Sequence, residues 1–526
     1  MFKYFKHGKN LKILSIIASF ALILGISPLN TSATYTLEEN KRQNINVNPS
    51  SSSSKPSYSV LDPNPSLIDK DGNLINNITM AADLSINRIG TIADGVSKLI
   101  LLINSNNTLQ FSIDGTTADN LTNGVLSSLD KQFSGDKLSS TINVDPRNAN
   151  NRSVVVAVYT PPDNVNLAEK ISHRTVNILT NDTNNSPISI QLHRPPVVLV
   201  HGLWMNSDNT WVATNFNKTL VEHGFNPASA DYREHNSKTF HPSAIKIVGG
   251  KPSIGNYGID SITNTINDKL REYHDNSIAA SQVDIVSHSM GGLMARGFIQ
   301  QDNYKQQDNF MKGSVHRLIT IGTPHFGGPL SEILYEHRDD WYCFLDGRTR
   351  ILRAEECTEP NQLETSYANS NIPIVQGGVK SLIPGSDAYS HLCQTPVSSY
   401  AIAGSWRPDA TDSHSNQEGV YKTITENNTF NLEDVLTDQN DLVVSVTSQL
   451  GGLPYHVRQP GSNDIPNYSS VYENTIHTTF YIQGNDQNKN VYSETNSPNI
   501  QRDVVRLLGS SNDSKFADAI GIGSPC

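Results

Sequence analysis

The chain is short of several things that would have placed it in broad classes. It has four cysteines in 526 residues (Cys343, Cys357, Cys393, Cys526) and no CxxC element, so a structural zinc site has no ligand spacing to build on. It is also short of positive charge: 40 Lys and Arg stand against 51 Asp and Glu, a formal −11. Four of the lysines (Lys3, Lys6, Lys9, Lys12) fall within the first 33 residues, which carry no acid, so the rest is more acidic still. That balance argues against a general binder of phosphate backbones, and no nucleic-acid partner is expected. Beyond residue 33 no apolar run approaches the roughly 20 residues of a membrane span, so no transmembrane segment is expected in the mature chain. No internal repeat occurs.

What is present fits a globular protein, with 36% hydrophobic and 17% charged residues. The length exceeds what one modest core serves, which predicts two or three domains. The lysine-bearing start leads into the apolar run Ile13–Ile26, then Ser27-Pro28 and a small-residue site at Thr31-Ser32-Ala33. This reads as a secretory signal peptide over residues 1–33, with an uncleaved anchor helix as the alternative. The expectation is a secreted, cell-surface or periplasmic protein whose cysteines can oxidise. Four cysteines allow three pairings; Cys343–Cys357, which closes a short loop, is preferred, with Cys393–Cys526 second.

Residues 34–59 are polar, include the run Ser50–Ser54, and read as a flexible linker. From 60 to 193 the pattern is of short strands. Leu109, Phe111 and Ile113 alternate with polar neighbours and stop at Asp114-Gly115; Val154–Val156 and Ile188, Ile190, Leu192 are similar. A β-rich N-terminal domain, of sandwich type, is predicted, with a spacer or a carbohydrate- or surface-binding role.

Past Arg194-Pro195-Pro196 the pattern changes, and residues 194–526 read as a second domain. Val197–Val200 is an unbroken apolar run, as in a strand buried on both faces. Ile259, Ile262, Ile266, Leu270 and Tyr273 form one stripe of an amphipathic helix, with Asn264, Asp268, Arg271 and Glu272 opposite. Strand-like Val283–Ser287, helix-like Gly291–Gln301, strand-like Leu318–Thr323 and Ser399–Ala403, and a closing helix through Ile500, Val504, Val505 and Leu508 follow. Strands alternating with helices predict an α/β fold with a mostly parallel sheet covered on both faces.

In such sheets chemistry sits at the carboxyl ends of the strands, where Ser287-His288-Ser289-Met290-Gly291 falls. A strand that turns sharply into a helix strains its central residue and needs small neighbours two positions away. Gly291 meets that need, and Ser287 is small enough to replace the usual glycine. Ser289 is the candidate nucleophile. Val197–Val200 followed by His201-Gly202-Leu203-Trp204 matches a loop that supplies one oxyanion-hole amide, the other coming from the residue after the nucleophile. The hole is therefore assigned to the amides of Leu203 and Met290.

Together these segments resemble the α/β-hydrolase superfamily, and within it the secreted bacterial lipases and esterases. Ile321-Gly322-Thr323-Pro324-His325-Phe326-Gly327-Gly328 is similar to the family's strand-6 exit, and Ser381-Leu382-Ile383-Pro384-Gly385-Ser386 to a segment of bacterial lipase-like members. The resemblance covers roughly residues 194–510. It implies the chain order Ser, then acid, then His. Asp441, followed by Leu442-Val443-Val444, then matches the acid after strand 7, with Asp438 as its rival. His477, in Asn474–Thr479, matches the histidine loop, with His456 as competitor. His288 is expected to pack beside the elbow.

The activity implied is hydrolysis of carboxylic esters, lipid or fatty-acyl esters among them, through an acyl-enzyme. An acyltransferase using the same residues is the alternative, and a surface-binding protein with an inactive hydrolase domain is another. Residues about 326–397, with Leu330, Ile333, Trp341 and Phe344, are expected to form a cap or lid insertion suited to substrate at a lipid–water interface, or merely to anchor the insertion. No cofactor is expected. His337, Asp339 and Asp340, or Asp409, Asp412 and His414, are clusters that could hold a structural calcium ion.

Overall fold

The computed structural model describes residues 58–521 apart from 78–84, 116–121, 130–138, 234–256, 337–342, 345–350, 353–376, 407–438, 479–491 and some shorter gaps. The signal segment and most of the linker expected before residue 58 lie outside the described residues, as do both clusters considered for calcium.

Among the described residues the alternating pattern of the N-terminal part folds as eleven strands: β1 (Tyr58–Asp62), β2 (Ile86–Asn87), β3 (Gly90–Ile92), β4 (Leu99–Asn104), β5 (Leu109–Ile113), β6 (Val125–Ser128), β7 (Thr141–Val144), β8 (Arg147–Ala149), β9 (Arg152–Thr160), β10 (His173–Thr180) and β11 (Ile188–His193). In β5, Leu109, Phe111 and Ile113 are buried and Gln110 is exposed, as the two-residue period of a strand requires. One antiparallel sheet has the order β2-β1-β4-β9-β6, with β8 also on β9. A second contains β3-β11-β10-β5-β7. Val60, Leu101 and Ile103 of the first sheet share a core with Phe111, Ile178 and Ile190 of the second. Two inner faces closing over one core make a sandwich.

The region after residue 194 is built on β12 (Val197–Val200), β13 (Pro227–Ala230), β14 (Ile278–Ala279), β15 (Val283–His288), β16 (Val315–Ile321), a short hairpin β17 (Cys343–Phe344) and β18 (Ile351–Leu352), β19 (Ser398–Ser405) and β20 (Ser469–Glu473). Its main sheet, β13-β12-β15-β16-β19-β20, is parallel throughout. Helices α1 (Phe216–Glu222), α2 (Tyr257–Asp275), α3 (Met290–Ile299), α4 (Pro329–Glu336), α5 (Gly377–Ser381), α6 (Asp387–Ser390), α7 (Val446–Leu450) and α8 (Pro498–Leu508) accompany it. Successive residues of β12 feed opposite layers. Val198 and Val200 pack with Ile259, Ile262 and Ile266 of α2 and Leu293 of α3. Val197 and Leu199 pack with Phe216 and Leu220 of α1 and Val504 and Leu508 of α8. Both faces of the sheet are therefore covered, which is why β12 reads as continuous hydrophobe. This is an α/β-hydrolase fold preceded by a β-rich region.

Local sequence also explains the ends. Ser497 caps α8 by accepting from the amide of Ile500, and Pro498 occupies its first turn. The stripe expected on α2 is the buried one, with Leu270 and Tyr273 packed more loosely.

The two regions are joined intimately. β14 lies beyond residue 194 yet pairs in parallel with β3, extending the second sandwich sheet by one strand. Arg88 donates to the carbonyl of His274 at 2.7 Å. His316, in β16, bonds Asp163 and Asp284 at 2.8 Å each. Within the 326–397 insertion, α4, α5, α6, the β17–β18 hairpin and the short segments around them are described, while 337–342, 345–350, 353–376 and 391 are not. Among the described residues no helix is long and apolar enough to cross a membrane.

Candidate active site

β15 is buried along its whole length and stops because Ser289 adopts φ 55°, ψ −134°. A non-glycine residue held there costs about 1–3 kcal/mol, and α3 starts at the next residue. Small neighbours make the bend feasible. Ser287 is fully buried, its hydroxyl donating to the carbonyl of Ile319 at 3.3 Å. A Cβ at Gly291 would lie 2.6 Å from the His201 carbonyl oxygen and would overlap that of Val200. At Gly202 it would lie 2.6 Å from the Ser289 Cβ, so the His201-Gly202 turn and the elbow sit directly against each other.

Ser289 Oγ is 2.8 Å from Nε2 of His477, and Nδ1 of His477 is 2.7 Å from Oδ2 of Asp441. A carboxylate only accepts, so Asp441 keeps the ring proton on Nδ1; in its neutral form the imidazole then offers Nε2 to the serine hydroxyl. Asp441 is itself held. Its Oδ1 accepts from the amides of Val443 and Val444 at 2.9 and 2.7 Å, and its carbonyl accepts from the His477 amide at 3.0 Å. All three side chains are buried, Ser289 keeping 9% of its surface.

Leu203 follows Gly202, and Met290 opens α3 immediately after Ser289. Among the described residues neither amide has a backbone acceptor. The Leu203 loop is braced from behind: His201 donates through Nδ1 to the Gly202 carbonyl at 3.1 Å, and its Nε2 accepts from the Tyr232 amide at 3.2 Å. The Tyr232 hydroxyl bonds the His201 carbonyl, and the two rings stack with centroids 4.0 Å apart.

The residue that sequence reasoning missed is Glu494. It is completely buried, in the turn before α8, with Oε2 3.3 Å from His477 Nδ1 and 3.1 Å from His288 Nε2. Its Oε1 accepts from the Gly404 amide at 3.0 Å. No local motif marks it, because an acid placed after the histidine lies outside the chain order that guided the search. His288 packs beside the elbow, its Nε2 also 3.1 Å from the His477 carbonyl. Burial lowers its pKa against the opposing pull of Glu494, and the two acceptors at Nε2 place a proton on that nitrogen. Burial opposes charge on His477, yet Asp441 and Glu494 outweigh it and raise the imidazole to about 10. Asp441 is pushed up by burial and by the charge of Glu494.

The rival His456 lies in the loop before β20, where its carbonyl accepts from Val471 at 2.7 Å. Asp438 lies outside the described residues. So do the side chains of Cys343 and Cys357, whereas Cys393 is disulfide-bonded. His288, His477 and Glu494 have ligand-type atoms within 4.8 Å of one another. Those atoms already hydrogen-bond among themselves, and a cation there would have to displace the Nδ1 proton of His477.

A family described as "Domain of unknown function (DUF7379)" matches residues 263–489. A protein named "Putative GPI inositol-deacylase C", of Yarrowia lipolytica, is 33% identical over 86 residues, 15% of this chain and 10% of its own length. The chain thus spans about a tenth of that relative. Among solved structures, Bacillus licheniformis lipase BlEst2 in mature form is 17% identical, with 56% of this chain and 89% of that one covered and a TM-score of 0.30. Lipase 1 of Pelosinus fermentans is 16% identical over 60% and 99% of the two chains, with a TM-score of 0.36. Phospholipase PlaB of Legionella pneumophila is 12% identical over 61% of each, with a TM-score of 0.35.

Proposed function

We propose that the protein hydrolyses carboxylic esters of lipid or fatty-acyl type through an acyl-enzyme on Ser289. One observation carries this: a serine hydroxyl on a strained elbow lies 2.8 Å from an imidazole whose other nitrogen is 2.7 Å from a buried carboxylate. That relay supplies what an unaided hydroxyl lacks, a base in contact and a group that orients the base. The deacylase name of the Yarrowia relative belongs to the same reaction class.

In the proposed cycle His477 takes the Ser289 proton as the oxygen attacks the ester carbonyl. Asp441 stabilises the imidazolium, and the Leu203 and Met290 amides receive the oxyanion. His477 then protonates the departing alcohol, and water attacks the acyl-enzyme by the same route. Export from the cell is part of this proposal.

A fluorophosphonate probe tests the reading, since only an activated serine reacts with it. Wild-type protein should label stoichiometrically, and Ser289→Ala and His477→Ala should not. Full hydrolysis of p-nitrophenyl butyrate by Ser289→Ala would refute the assignment. Product analysis with glycerol or a sterol present separates hydrolysis from acyl transfer, because only the latter yields a new ester.

A further inference from the structure

Two buried carboxylates, not one, face the same ring nitrogen of His477. Glu494 reaches it from a different element than Asp441, and the fold makes room for it deliberately. A Cβ at Gly322 would overlap the Glu494 carboxylate, and one at Gly404 would lie 2.8 Å from Oε1. The Gly404 amide and His288 Nε2 then fix its two oxygens.

A purely structural role accounts poorly for the charge. Removing a second carboxylate from water next to Asp441 is costly unless a cation compensates it. His288 is poorly suited to be that cation: its Nε2 proton serves Glu494 and the His477 carbonyl, and a second proton on Nδ1 would be buried with no partner among the described residues. Among the described residues the groups that face His477 are Asp441, Glu494, His288 and Ser289, so the cation that Glu494 meets is the imidazolium of His477 itself.

We propose that Glu494 is a second positioning carboxylate for His477, sharing the Nδ1 proton with Asp441 and accepting it alone when Asp441 is lost. The inference rests on His477 being the general base. The exchange needs only a small rotation of the ring, because the same nitrogen lies 2.7 Å from one acid and 3.3 Å from the other. His288 holds Glu494 at that distance.

The test compares Asp441→Ala, Glu494→Gln and the double variant on p-nitrophenyl butyrate, beside Ser289→Ala. With a stand-in acid present, Asp441→Ala should lose about tenfold in kcat with KM little changed, against the roughly 10⁴ typical when a triad's sole acid is removed. The double variant should fall to about that deeper level, more than the two single losses combined. Glu494→Gln alone removes a negative charge from beside the imidazole, so the acidic limb of its kcat/KM profile should move to lower pH by roughly one unit. Asp441→Ala leaves Glu494 and its anchors intact, so it decides the matter even if Glu494→Gln folds badly. Asp441→Ala as inactive as the double variant, with Ser289→Ala also dead, overturns the role of Glu494 alone. Activity surviving in Ser289→Ala overturns the reading beneath it.

Discussion

The 2.8 Å contact between Ser289 Oγ and His477 Nε2 joins residues 188 positions apart, and Ser289 holds its side of it from φ 55°. Strain of this kind is tolerated where function needs it and is released by glycine, which adopts positive φ freely. Ser289→Gly should therefore abolish ester hydrolysis while raising the melting temperature by a few degrees, of order 1 kcal/mol. A thermal melt beside an activity assay checks both, and an unchanged or lower melting temperature would remove the strain argument.

Gly292 is needed for a different reason. A methyl group there would overlap Thr323 Oγ1 and sit 2.7 Å from its Cγ2, with Thr323 fully buried. Gly292→Ala should cost about 1–3 kcal/mol by overpacking α3 against the strand-6 exit. Adding Thr323→Ala should recover part of the loss in urea titration, since the clash is with that side chain.

The two carboxylates around His477 have a kinetic consequence. A base works only when unprotonated, and these acids raise the His477 pKa to about 10. Wild-type kcat/KM should accordingly keep climbing through the alkaline range, well above the ordinary imidazole value of about 6.5. A pH–rate profile that levels off by neutral pH would contradict this.

His316 ties the sandwich to the hydrolase sheet, lying 2.8 Å from both Asp163 and Asp284. Burial works against its charge, but the two acids raise its pKa to about 9. A folded-state pKa above the unfolded one stabilises fully below the unfolded value, near 6.5, and that contribution is lost as pH rises through about 9. His316→Gln should thus be less stable than wild type at pH 6, by about 1–3 kcal/mol, and the gap should close by about pH 10. Denaturant melts of both proteins across that window give the answer.

We propose that residues 326–397 cap the site. If the insertion caps an acyl-binding groove, hydrolysis of a short-chain triacylglycerol should rise sharply once substrate exceeds its solubility. A smooth saturation curve through that point would favour a simple anchoring role.

Much of the fold was legible locally. The four apolar residues of β12, the stripe of α2 and the strand-to-helix switch around Ser289 each carry their own periodicity, so neighbours in sequence suffice to read them. β16 and β19 begin earlier than their hydrophobic centres indicated, at Val315 and Ser398, because pairing with adjacent strands extends them into less apolar flanks. The reach of β14 into the sandwich had no local sign, since a two-residue strand is too short to show a period.

What the sequence determined by itself is the set of parts: an elbow serine with small neighbours, a His-Gly turn at a strand end, and an acid and a histidine further along. Tertiary structure decided which side chains meet. Glu494 and His288 joined the cluster only when β15, β16, β19 and the turn before α8 converged, with Gly322 and Gly404 leaving space between them. Periodicity and backbone strain are properties of adjacent residues, whereas a hydrogen bond between residues 206 apart, such as His288 to Glu494, exists only once packing has brought the elements together.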